Sequence, residues 1–195
     1  AAAKAGADAV KLQKRNNKAQ FTKKAYANSY NSENSFGKTY GEHREFLEFD
    51  KDQYVELINF SKKLGLIFIS TAFDIPSLEF LIDVKVSAIK IASGDIVNHP
   101  LLLEASKANL PLIISTGAST FEEIDMAYKL ISPQIKNFAF LQCTSSYPAK
   151  YQELNIRVIT NLQEKYPETI IGFSSHENGI SAPIAAYALG ARIFE

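Results

Sequence analysis

Apolar residues along the chain gather in short, evenly spaced runs. Seven of them, rich in Val, Ile and Phe, occupy residues 7–13, 66–73, 88–93, 112–116, 138–144, 170–174 and 191–195. They are too short for helices and too continuous for strands with one wet face, so they predict strands buried on both sides. Between most of them apolar positions recur at three- and four-residue spacing, over 51–64, 76–82, 101–108, 121–131, 154–165 and 181–189, which predicts amphipathic helices. Strand and helix therefore alternate, the signature of a parallel sheet. Polar side chains close nearly every strand, which favours a barrel over an open sheet whose site would concentrate at one switch point. The expected fold class is α/β, a (β/α)8 TIM barrel present as a fragment that lacks strand 1 and the end of the barrel. In that register residues 7–13 form the second strand and 192–195 begin the eighth.

Residues 14–49 interrupt the rhythm. They are rich in Asn, Ser, Tyr and Lys, show no clear period, and predict one long inserted loop with Phe36, Tyr40, Phe46 and Phe49 as anchors. No Gly-rich GxGxxG follows a strand, which weighs against a dinucleotide fold.

Length and composition narrow the class further. A chain of 195 residues, 46% hydrophobic and without an apolar stretch near 18 residues, suits a single domain with a sizeable core and no membrane span. Its 21 basic and 21 acidic residues balance without a long basic block, which argues against nucleic-acid or membrane partners. The single cysteine, Cys143, cannot close an internal disulfide, and the start carries no charged leader with a cleavage site, so a cytoplasmic protein is expected. Cys143 itself reads as core.

Candidate chemistry sits at the strand ends. Lys11 and Lys90 each interrupt an apolar strand, in AVKLQ and AIKIASGD, where burial demands a paired carboxylate or a bound anion. Two lysines converging on one mouth suit a phosphate or carboxylate, or a Schiff-base nucleophile beside a second cation. Hydroxyls recur at the same level: Ser70 and Thr71, Ser93, Ser115 and Thr116, Thr144 to Ser146, and Ser174 with Ser175. With Gly94 and Gly117 to admit backbone N–H groups, they describe an oxyanion cradle without a Walker loop. His176 in GFSSHEN suits a metal ligand, a general base or a hydrogen-bonded structural histidine, and neither His43 nor His99 supplies metal-site spacing. Glu195 suits a base, a sugar-hydroxyl acceptor or a partner for a lysine.

Several strings, in order along the whole chain, together resemble the sialic acid synthase family: GADAVKLQ, GKTYGEHREFLEF, IKIASGD, IISTGAS, LQCTSSYP, LNIRVI, and IGFSSHENGI followed by ALGARIFE. The resemblance implies a TIM-barrel transferase that joins phosphoenolpyruvate to N-acetylmannosamine, its 6-phosphate or a related N-acyl amino sugar, giving a sialic or other nonulosonic acid and phosphate. It implies that Lys11, Lys90, Ser93, Ser115, Ser145 and Ser174 hold phosphoenolpyruvate, and that Gln13, Asp95, Tyr147 and Glu195 line the amino-sugar side. It makes His176 one of two histidines on a divalent metal, Mn²⁺ or Mg²⁺, with the second beyond Glu195. It also implies that residues 1–195 are part of the catalytic domain, that the family's C-terminal antifreeze-like domain is not in this chain, and that the full-length protein is a homodimer. Lys38, His43 and Arg44 suit either a sugar phosphate or a solvated loop face. Two alternatives stay open: a lyase or aldolase using Lys90 as a Schiff-base nucleophile, and a sugar-phosphate-binding protein without chemistry.

Overall fold

The computed structural model describes residues 1–195. Six strands with alternating helices build a parallel α/β sheet whose order follows the chain, β1-β2-β3-β4-β5-β6, the arrangement expected of part of a barrel. By internal contacts the chain divides into two compact units, Ala1–Ile89 and Lys90–Glu195.

The first unit holds β1 (Ala9–Lys14), the short helices α1 (Asn17–Gln20), α2 (Lys23–Ala27) and α3 (Tyr40–Phe46), then α4 (Lys51–Lys63), β2 (Ile67–Ala72) and α5 (Ile75–Asp83). β1 and β2 run parallel, in register from Ala9 opposite Ile67 to Lys14 opposite Ala72. Helix starts follow local chemistry. Asp50 and Gln53 close a capping box on α4, and Asp74 caps α5 just ahead of Pro76. Tyr54, 1% exposed, is the hub of this unit's core, with its ring edge-on to Phe68 and Phe80. Its hydroxyl donates to the Gln13 carbonyl at 3.0 Å and shares a hydrogen bond with Ser70 Oγ at 3.2 Å, which ties α4 to the end of β1.

Residues 14–49 correct the expectation of one long loop: they contain α1, α2 and α3. Each helix is only 4–7 residues long, too short to leave a period, yet each begins at a side-chain cap, Asn16, Thr22 or Thr39. The anchors differ too. Phe46 and Phe49 are exposed, and order comes from His43, buried among Tyr30, Phe36 and Tyr40, and from Tyr26, whose ring lies where a Cβ of Gly41 would stand.

The second unit contains α6 (His99–Lys107), β4 (Leu112–Ser115), α7 (Phe121–Ile131), β5 (Phe138–Cys143), α8 (Val158–Lys165), β6 (Ile170–Ser174) and α9 (Ser181–Ala188). β3 (Ala88–Ile91) falls at the boundary between the units. β4 pairs parallel with β5, and β5 with β6. β5 is buried at every position, the continuous apolar run expected of a covered parallel strand. Leu101, Ile114, Ile131, Phe140, Leu162 and Phe173 fill the core at 0% exposure. The seventh run forms no regular strand element, only a bridge from Phe173 to Phe194, but its backbone pairs with β6 from Arg192 to Glu195. No helix is long and apolar enough to cross a membrane.

Candidate active site

Lys90 lies in the middle of β3, where every position is buried, and is itself 4% exposed. Its ammonium donates to Ser115 Oγ at 2.7 Å and to the Ile91 carbonyl at 3.0 Å, and stands 3.3 Å from Glu195 Oε2. Ser115, at the end of β4, closes the triangle through Oγ, 3.4 Å from the same carboxylate oxygen. Glu195 is held in place by its backbone: its N–H donates to the Phe173 carbonyl and its own carbonyl accepts from Ser175 N–H. A buried lysine is tolerated only with such partners.

A second cluster surrounds Gly117, just past β4. Its N–H donates to Ser93 Oγ at 3.0 Å. A Cβ at this position would meet Ser145 Oγ, Ser93 Oγ at 2.8 Å and Cys143 Sγ at 3.2 Å, so the glycine leaves room for these side chains to gather. Ser93 opens the 3-10 turn that ends in half-buried Asp95, whose Oδ1 accepts from Asn98 Nδ2 at 3.3 Å. Ser174, at the end of β6, is buried. Cys143 is buried as expected of core, yet its sulfur also stands 3.8 Å from His176 Nδ1. The Tyr147 ring meets His176 edge-on at 4.3 Å. Tyr147 is exposed as a residue, yet partial desolvation of its hydroxyl, followed by the nearby Cys143 and Glu195, pushes the phenol above its ordinary range. A cavity of about 500 Å³ opens alongside and shares Cys143 and Ser145 in its lining.

The structure thins the expected cradle. Ser70 and Thr71 are buried in the first unit, Ser70 against Tyr54. Thr116 donates to the Leu141 carbonyl, Thr144 to the Glu153 carbonyl, Ser146 to the Pro148 carbonyl and Ser175 to Glu177. These hydroxyls hold the fold. Ser93, Ser115 and Ser145 remain around Lys90 and Gly117. Gly94 meets nothing within 4 Å, so close approach is a property of Gly117 alone of the two.

Lys11 lies on β1 with an exposed side chain, as does Gln13, at alternate positions of the strand. His43 is enclosed by aromatic rings and accepts the Phe36 N–H at Nδ1, 3.2 Å away, which removes it from the surface. No three His, Cys, Asp or Glu side chains of the chain gather into a set that could hold a metal ion. His176 has Cys143 and Tyr147 beside it.

The whole chain, residues 1–195, matches the model of the NeuB family. Over 195 residues it is 44% identical to N-acetylneuraminate-9-phosphate synthase of Drosophila melanogaster, covering 100% of this chain and 52% of that protein. The enzyme of the same name from Mus musculus is 41% identical over 190 residues, covering 97% and 53%. Among solved structures, N-acetylneuraminic acid (sialic acid) synthetase from Leptospira borgpetersenii serovar Hardjo-bovis, in complex with citrate, matches with a TM-score of 0.85 and 34% identity over 100% of this chain and 63% of that one. The chain thus spans about half the length of the curated relatives it matches.

Proposed function

The chain belongs to the NeuB family, and from that premise we propose that the protein carrying it condenses phosphoenolpyruvate with an N-acyl amino sugar to give a nonulosonic acid and phosphate. The observation that carries this reading is the buried Lys90 ammonium, hydrogen-bonded to Ser115, together with the serine hydroxyls gathered at Gly117. Such a set of fixed donors matches an anion whose charge changes during reaction. The preferred sugar is N-acetylmannosamine 6-phosphate. Phosphoenolpyruvate adds three carbons ahead of C1, so a phosphate on C6 of the sugar becomes one on C9, the product named in the fly and mouse relatives.

In the proposed reaction C3 of phosphoenolpyruvate attacks the aldehyde carbon, a C–C bond forms, and the aldehyde oxygen takes up a proton to become a hydroxyl. Water adds to the cationic C2 and gives up a proton. The tetrahedral carbon then expels phosphate by C–O cleavage while its hydroxyl proton passes to the departing phosphate, which leaves the 2-keto acid. Lys90 with Ser93, Ser115, Ser145 and Ser174 holds the anionic groups and steadies the charge that moves onto the departing phosphate. Glu195, 3.3 Å from Lys90 Nζ, accepts the proton released by the water. Asp95 and Tyr147 face the sugar. The roles of Lys11 with phosphoenolpyruvate and of Gln13 with the sugar rest on the resemblance alone, as do a homodimer and membership of residues 1–195 in one catalytic domain, while a cytoplasmic location rests on the single cysteine. The family resemblance also implies a divalent metal, Mn²⁺ or Mg²⁺, with His176 as a ligand. This chain's residues do not complete a ligand set, so no step is derived through a metal.

The test is phosphate release by the full-length protein supplied with phosphoenolpyruvate, Mn²⁺ and a panel of N-acetylmannosamine, its 6-phosphate and diacetamido-trideoxyhexoses. Phosphate release that requires the amino sugar is expected. A pyruvate adduct trapped on Lys90 by borohydride, without phosphate release, would establish the Schiff-base lyase instead. Binding of the sugar phosphate without turnover would mark a binding protein.

A further inference from the structure

Within the second unit, alternate residues of the loop after β5 engage the loop after β6. The Tyr147 ring meets the His176 ring edge-on, with centroids 4.3 Å apart. The Ala149 N–H donates to the His176 carbonyl at 3.0 Å. The Tyr151 hydroxyl donates to the Asn178 carbonyl at 2.6 Å, at the short end of the range for such bonds. Gly179 comes next, with φ of 119°, and a Cβ there would stand 2.7 Å from the Tyr151 hydroxyl, so the glycine leaves room for this approach. Tyr151 also stands on a fixed base. It opens the 3-10 turn Tyr151–Glu153, which two side chains from β5 and its end hold in place: Thr144 Oγ1 donates to the Glu153 carbonyl at 3.1 Å and Gln142 Nε2 to the Leu154 carbonyl at 3.1 Å.

We propose that Tyr151 is a positioning residue for the amino-sugar side of the site. Its hydroxyl holds the 176–178 segment by the Asn178 carbonyl, and so keeps the His176 ring against Tyr147. The inference rests on the function proposed above, in which Tyr147 faces the sugar. Phosphoenolpyruvate is held there by Lys90 and the strand-end serines, so loosening the 176–178 segment should separate the two substrates. A small misplacement made away from the reacting atoms is enough to be felt in binding and turnover.

The experiment uses the full-length protein and two readouts. In phosphate release, Tyr151→Phe is expected to raise KM for N-acetylmannosamine 6-phosphate about fivefold, the equivalent of one neutral hydrogen bond, while KM for phosphoenolpyruvate stays within about twofold. In NMR, with metal removed by a chelator and at pH of about 8.5, where histidine is neutral, the His176 ring-proton resonance is assigned by its loss in His176→Gln. It feels the Tyr147 ring current and is expected to shift in Tyr151→Phe. Replacing Tyr151 by 4-aminophenylalanine, which keeps a donor at the same end of the ring, restores the resonance and the sugar KM. An unchanged sugar KM, a parallel rise of both KM values, or an unmoved His176 resonance overturns the proposal, and a role in stability alone would give one of these. If the wild type releases no phosphate with any sugar, the proposed function has failed instead, and the resonance decides the positioning by itself: a shift in Tyr151→Phe upholds it and no shift overturns it.

Discussion

Replacing Gly117 by alanine adds one methyl group at the most crowded point of the candidate site. Gly117 does not have a positive φ, so the backbone accepts alanine and the perturbation is steric alone. The new Cβ would fall on Ser145 Oγ and within 2.8 Å of Ser93 Oγ and 3.2 Å of Cys143 Sγ. Two of these neighbours are hydroxyls that can rotate away, which puts the overpacking cost near the low end, about 1 kcal/mol. Rotation of Ser93 also breaks its hydrogen bond from Gly117 N–H, a further loss of about 1 kcal/mol. The sum of about 2 kcal/mol corresponds to a fall of roughly 2–4 °C in Tm for a full-length protein about twice as long as this chain. Because the displaced atoms are the proposed anion ligands, KM for phosphoenolpyruvate should rise about tenfold, the equivalent of one charged hydrogen bond weakened by about 1.4 kcal/mol. Thermal unfolding and steady-state phosphate release on the full-length protein measure both. Gly94→Ala is the control, since nothing lies within 4 Å of its Cβ position. Unchanged Tm and KM in Gly117→Ala, or equal damage from Gly94→Ala, would refute the crowded-serine account.

Further outcomes follow from other contacts. Lys90→Ala should lower turnover on the order of a hundredfold, about 2.7 kcal/mol of lost charge stabilisation, and near-normal kinetics would remove Lys90 from the reaction. Tyr54→Phe strands Ser70 Oγ at 0% exposure and frees the Gln13 carbonyl, so a loss of about 1–2 kcal/mol is expected in urea unfolding. At the junction of α7 and α8, hydrogen bonds first from Lys165 and then from Tyr166 hold Asp125 below the usual carboxylate range. Burial, followed by Asp125, pushes Tyr166 far above the usual phenol range. The depressed carboxylate lends stability above pH of about 4 that is lost as pH falls, and the raised phenol lends stability below pH of about 10 that is lost as pH rises. Asp125→Asn should therefore flatten the acid limb of the stability profile and Tyr166→Phe the alkaline limb, read from urea midpoints against pH.

The elements that were legible in the sequence are those whose burial is uniform. β5, buried at every position, and α7, with a Thr120–Glu123 capping box, announce themselves through continuous or 3.6-period apolar residues. The segment 14–49 was illegible as helix because four to seven residues complete at most two turns, although its Thr39–Glu42 capping box is written in the chain. Cooperation among Tyr26, Tyr30, Tyr40 and His43 orders it, and that is a tertiary effect no local period records. Residues 192–195, expected to begin the eighth strand, pair with β6 through their backbone, but a single bridge leaves them short of a regular strand.

The site separates for a different reason. AVKLQ and AIKIA are the same pattern, a lysine between apolar residues on a strand, yet Lys11 is exposed and Lys90 buried. Strand periodicity says which side of the sheet a residue faces, and the elements packed on that side decide whether it is covered. Likewise the strand-end hydroxyls are chemically alike in sequence and differ only in what they bond. Thr116 and Thr144 give their protons to backbone carbonyls, so replacing them disturbs the fold. Ser115 instead accepts from Lys90 and reaches toward Glu195, so its bonds run to charged groups. At Ser115 an incoming anion meets a hydroxyl and an ammonium already turned toward a negative partner, Glu195. A hydroxyl committed to a backbone carbonyl offers no such donor. Anion-dependent chemistry is for that reason expected at Ser115 and not at Thr116, one residue along the chain.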